Sequence, residues 1–127
     1  MTRNLLAAML AALVAACASG PGGGIPSLFQ TKGEQALSAG LEQYEAGDYP
    51  AAQKSLQGAL EAGLGPKDHV NARKHLAFIY CTSGRQTQCR EEFRRALEID
   101  PQLELAPAEA GHPGWGPVFR AVKAARR

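Results

Sequence analysis

The stretch that decides the fold is Leu76-Ala77-Phe78-Ile79-Tyr80-Cys81-Thr82-Ser83-Gly84-Arg85-Gln86-Thr87-Gln88-Cys89-Arg90-Glu91-Glu92-Phe93-Arg94-Arg95-Ala96-Leu97-Glu98-Ile99-Asp100-Pro101. It reads as two helices broken at Gly84-Arg85. Ala77 and Ala96 are small enough to let paired helices approach closely, and Leu76, Phe93 and Leu97 fill the space between them. Glycine takes the turn, and Pro101 ends the second helix because proline cannot continue one. Upstream, residues 32–62 repeat the arrangement around Gly47-Asp48, with Gly40, Ala52 and Ala59 small and Leu56 and Leu60 large. Gly47 and Gly84 stand 37 positions apart.

Self-similarity at such a period signals a repeat architecture. The second hairpin resembles a tetratricopeptide (TPR) repeat, whose length is about 34 residues. Leu76 and Ala77 stand at the family's Leu-Gly pair, Tyr80 at its aromatic position, and Phe93, Ala96 and Pro101 at the large, small and terminating positions of the second helix. Cys89 replaces the usual alanine. The first hairpin fits more loosely through Gly40, Gly47, Asp48, Tyr49, Ala52, Leu56 and Ala59, and it has no closing proline. The extra residues of the period fall in Gly63–Lys67, between the hairpins. The resemblance implies an all-α α-solenoid of two TPR-like helical hairpins, 32–62 and 68–101. It also implies a partner-binding groove on the first helix of each repeat. The matching positions are Leu37, Leu41, Tyr44 and Glu45 in the first repeat, and Asn71, Lys74, Phe78 and Thr82 in the second.

Two repeats are fewer than the three usually needed to bury a continuous core, so the tail at 102–127 is expected to cap them. Val118, Phe119 and Val122 share one helical face, and Pro117 suits a first turn. A capping helix is therefore expected over Gly116–Arg126, with its apolar stripe on the exposed face of the second hairpin. Trp115, the chain's one tryptophan, stands in a Pro/Gly frame just before it. We expect Trp115 to pack on the hairpin and fix the entry of that helix; the alternative is an anchor for a partner.

The N-terminus reads as separate from the fold. Arg3 precedes Leu5–Ala16, twelve residues drawn only from Leu, Ala, Met and Val. A membrane span needs about 20, and the short run with a positive start suits a secretory signal. Val14-Ala15-Ala16-Cys17 resembles the bacterial lipobox, which implies cleavage after residue 16 and acylation of Cys17. Stable anchoring takes two or more chains, as that family carries. Ser19-Gly20-Pro21-Gly22-Gly23-Gly24 and Pro26 then read as a flexible tether, so that 1–16 is signal and 17–31 is lipidated cysteine and linker. Ala18 after the cysteine implies, by the family's sorting rule, the periplasmic side of the outer membrane, with the inner membrane as the alternative.

Setting Cys17 aside leaves Cys81 and Cys89, an even pair in an oxidising compartment. Cys81 is four residues after Ala77 and shares its face towards the partner helix; Cys89 faces back. A disulfide across the hairpin is expected, with two reduced core cysteines as the alternative. No catalytic constellation emerges. His75 and Cys81 are six residues apart, roughly 240° around a helix. His69, His75 and His112 lack metal-ligand spacing, and Glu91 with Arg95 reads as a solvated i,i+4 pair. The 127 residues leave room for one domain, and 14 basic against 12 acidic residues is not the footprint of a nucleic-acid binder. No enzyme activity, cofactor, metal, nucleic acid or small-molecule substrate is expected.

Lipobox, linker, two repeats, paired cysteines and the tail Gly111-His112-Pro113-Gly114-Trp115-Gly116-Pro117-Val118-Phe119 together resemble the TPR lipoproteins associated with bacterial type VI secretion (TssQ-like). That resemblance implies a membrane-anchored adaptor that binds a protein of an envelope-spanning secretion machine. The alternatives are a pilotin or outer-membrane secretin-assembly lipoprotein, or a structural periplasmic TPR module.

Overall fold

Thr31 opens the helical array with a capping box. Glu34 N–H donates to Thr31 Oγ1 at 3.1 Å and Thr31 N–H donates to Glu34 Oε2 at 2.7 Å, satisfying two groups that a helix start leaves unpaired. The computed structural model describes residues 29–126, which form α1 (Lys32–Glu45), α2 (Tyr49–Ala62), α3 (Pro66–Thr82), α4 (Gln86–Ile99), α5 (Pro107–Ala110) and α6 (Gly116–Ala125). Cys17, the signal at 1–16, nearly all of the linker at 17–31 and Arg127 lie outside the described residues. Among the described residues there is no strand, and no helix is long and apolar enough to cross a membrane.

α1 packs on α2 and α3 on α4, as two antiparallel hairpins; α2 against α3 and α1 against α3 join them, and α6 packs on α4. The turns obey their glycines. Gly47 and Gly84 have φ of 79° and 77°, a left-handed conformation that costs glycine nothing. Asp48 then caps α2 by accepting from Ala51 N–H at 3.2 Å. Close approach of α1 and α2 explains Gly40: a Cβ there would stand 2.8 Å from Leu56 Cγ. Leu56, Leu76, Phe78, Phe93 and Leu97 form the fully buried centre.

The second hairpin is fastened twice. Cys81 and Cys89 are disulfide-bonded with their Cα atoms 5.2 Å apart, and Arg73 pairs with Glu92 across the helices at 3.0 Å. Glu92 is buried, so only Glu91 of the two adjacent glutamates belongs to a surface network, with Arg94 and Arg95 at 2.6 and 2.9 Å. Arg94 and Arg95 hold the Glu91 carboxyl down to about 2.

Two boundaries differ from the sequence reading. The second hairpin begins at Pro66 rather than 68, because proline's fixed φ and missing N–H suit the first position of a helix. The tail contains α5 ahead of the expected capping helix, again opened by a proline, Pro107. α6 runs over Gly116–Ala125 as expected, with Phe119 edge-on to Phe93 at 5.2 Å. Lys123 secures it by donating to Leu103 O at 2.8 Å and pairing with Glu104.

Candidate protein-binding groove

α1 and α3, the first helices of the two hairpins, touch each other and together line a recess, and the eight expected groove residues divide into two sets. Phe78 is not available: it is 1% exposed. Trp115 stacks on its ring at 4.1 Å between centroids. Thr82 remains exposed, its hydroxyl donating to Phe78 O at 2.9 Å. Lys74 is tied to Glu109 at 3.1 Å. The C-terminal half of α3 is thus occupied by the chain's own tail. Within the second hairpin Trp115 lies on α3, against Phe78, while the exposed face of α4 is covered by Phe119. The reason is the bend between α5 and α6, which turns the tail across the groove before α6 reaches α4.

Several residues that build this tail contact escaped the sequence reading. Glu109 is its hub. Its carboxylate takes Lys74 and the Ala106 N–H, and its backbone carbonyl accepts from Trp115 Nε1 at 2.8 Å and from the His112 N–H at 3.1 Å. His112 stacks on Trp115 at 3.5 Å, its plane 4° from parallel. Gly114 N–H donates to His112 Nδ1 at 2.9 Å, which requires an unprotonated Nδ1. Gly116 closes the bend, since a Cβ there would lie 2.4 Å from Ala110 O. The signal was present in the wording of the tail, with glycine, proline and histidine crowded round one tryptophan. Residues from 109 to 116 meet only through their own local turns, however, and no helical period announces them.

The rest of the groove is open. A recess of about 330 Å³ is lined by Phe29, Glu34, Leu37, Leu41, Asp68 and Asn71, among others. Leu37 is buried as its floor and Leu41 is half-buried. On the other side of Asp68 and Asn71 a second recess, about 560 Å³, runs to Val70, Ile99 and Leu103. At the far end of α1, Tyr44 packs against Tyr49 at 5.4 Å and edge-on to His75 at 5.0 Å, with Glu45 exposed beside them.

Electrostatics of this end follow from burial. Desolvation, helped by the charges of Tyr49 and Glu109, pushes the Tyr44 phenol up to about 12. Burial likewise pulls the His75 imidazole below its ordinary value, opposed by the hydrogen bond between Nδ1 and Asn71 O at 2.9 Å. Both side chains are therefore uncharged at neutral pH. The arrangement can recognise a chain segment by apolar contact and charge. Cys81, held in its disulfide, is not a thiol nucleophile.

Stacked helical hairpins with turn glycines at a 37-residue spacing fit the tetratricopeptide superfamily. Among curated proteins the chain is similar to Photosystem I assembly protein Ycf3 of Synechococcus sp. (strain CC9605), being 28% identical over 81 residues, or 62% of this chain and 47% of that protein. The chain thus spans about half the length of the curated relative it matches. No protein-family profile matches the chain, and no solved structure matches it significantly.

Proposed function

We propose that this chain is a non-catalytic adaptor lipoprotein. In this reading Cys17 carries the lipid, the Gly/Pro segment is the tether, and the concave face binds a protein component of an envelope-spanning type VI secretion system from the periplasmic side of the outer membrane. The observation that carries the binding role is the groove itself. A tail has closed one half of the concave face, and the half between α1 and α3 is left with an apolar floor and a charged rim. The assembly role in the name of the similar cyanobacterial protein supports a task of joining proteins rather than transforming a substrate.

The experiment has two arms. Cys17→Ser should leave the protein uncleaved or soluble, without palmitate label; membrane retention of that variant together with an unlabelled wild type rejects the lipoprotein reading. A photo-crosslinking amino acid at Leu41 in the full chain, expressed in its native envelope, should capture a secretion-system component. Crosslinks to a secretin, and its mislocalisation when the gene is deleted, would instead establish the pilotin reading. No specific adduct at Leu41 would reject the groove as a docking site and leave a structural module.

A further inference from the structure

Resting on the reading of the concave face as a docking groove, we infer that the groove takes an extended partner segment with apolar side chains flanked by two basic residues about five positions apart. The recess places two carboxylates, Glu34 and Asp68, beside the apolar floor of Leu37 and Leu41. Among the described residues no lysine or arginine lines this recess; in the adjoining recess Lys67 and Lys74 are the cations, and Lys74 is already paired with Glu109. A long basic side chain matches such a site because its methylene stem lies on apolar surface while its charged head reaches the carboxylates.

The second pole follows from the helix. Glu45 is exposed eleven residues beyond Glu34, and at 1.5 Å per residue the two lie about 16 Å apart along α1. An extended chain rising about 3.3 Å per residue covers that distance in about five residues. Between the poles lie Leu41 and Tyr44, the latter half-buried with its ring edge against His75. A cation near Tyr44 and Tyr49 gains from their ring faces as well as from Glu45. His75 does not oppose it, since burial keeps that imidazole neutral. The first hairpin as a whole carries the same sign: residues 29–62 hold Lys32 and Lys54 against Glu34, Glu42, Glu45, Asp48 and Glu61. Apolar surface alone would hold many segments; the two acidic poles choose among them and fix the register, as complementary charge does at interfaces.

The test uses the full chain and a fluorescein-labelled synthetic peptide with a leucine pair between two lysines about five positions apart, read by fluorescence anisotropy. A counterpart carries glutamate at the lysine positions. The lysine peptide should bind, at least about tenfold more tightly than the glutamate peptide, and more weakly as salt rises. Neutralising the poles together in E34Q/D68N/E45Q should cost about tenfold and abolish the difference between the peptides. Glutamine keeps the capping geometry at Glu34, and an unchanged circular dichroism melt verifies the fold. Equal binding of both peptides overturns the inference. So does failure of the lysine peptide to bind the full chain, whether the groove is then filled by residues 1–28 or by a second copy. A Leu41 crosslink to the native partner that is insensitive to E34Q/D68N/E45Q keeps the docking groove and rejects its basic ligand; loss of the crosslink in wild type rejects both.

Discussion

At Trp115 a single side chain joins three parts of the molecule. Its ring stacks on Phe78 of α3 and on His112 of the tail, and its Nε1–H donates to the carbonyl of Glu109. Truncation removes large buried apolar surface and both ring contacts, leaving the Glu109 carbonyl with the His112 N–H alone, so Trp115→Ala should cost about 3–5 kcal/mol. Denaturant titration by circular dichroism measures it, and a loss under about 1 kcal/mol would mean that the tail repacks freely. His75 makes a second residue-level prediction. Its folded pKa lies below the unfolded value, so the unfolded chain binds the extra proton first. Stability should be complete above about pH 6.5 and fall as pH drops from there towards the lower folded pKa. His69 is lowered for the same reason, burial, and adds in the same direction. Melting temperatures recorded between pH 7.5 and 5.5 should therefore decline, and less steeply in His75→Gln; a flat wild-type profile contradicts the assignment. At this scale the sequence was only partly legible. Leu41, Tyr44 and Asn71 line or border the open groove, but Phe78 belongs to the tail contact. Spacing assigns a face to a helical residue and is silent about what a distant segment lays over it.

The second hairpin shows how an element can be both marked in sequence and reinforced in space. Its glycine turn, its small residues at Ala77 and Ala96 and its closing Pro101 were readable because each answers a local steric demand of paired helices. The Arg73–Glu92 pair was not, since the two residues lie on different helices and their alignment depends on how α3 and α4 are rotated. Cys81 and Cys89 are both buried and close a loop of sequence separation 8. Restricting the unfolded chain by so short a loop stabilises by about 2–3 kcal/mol in the chain-entropy view. Reduction should therefore lower the melting temperature by several degrees, roughly as a 2 kcal/mol loss does in a domain of this size. Calorimetry with and without reductant checks it, and thiol counting by mass spectrometry under non-reducing conditions verifies that the bond was there to break.

For the whole molecule, the tail acts as a cap on the second hairpin. α6 covers Phe93 on α4, and Trp115 covers Phe78 on α3, so two hairpins keep a closed interior. The need for a cap could be reasoned from repeat number alone; its path across the groove could not, because it depends on the bend around Gly116. Deleting 114–127 exposes both aromatic faces, and a small domain has only about 5–15 kcal/mol in hand. The truncated chain should lose its cooperative thermal transition or aggregate, whereas an unchanged melt would make the tail a mobile appendage. The disulfide also governs how the molecule responds to tension. When the chain is pulled from its two ends, the Cys81–Cys89 bond passes load directly from α3 to α4, bypassing the turn at Gly84. Those turn residues cannot lengthen while the bond holds. In single-molecule stretching, reduction should release about 20 Å of additional contour length, and the oxidised hairpin should yield as a shorter, stiffer segment.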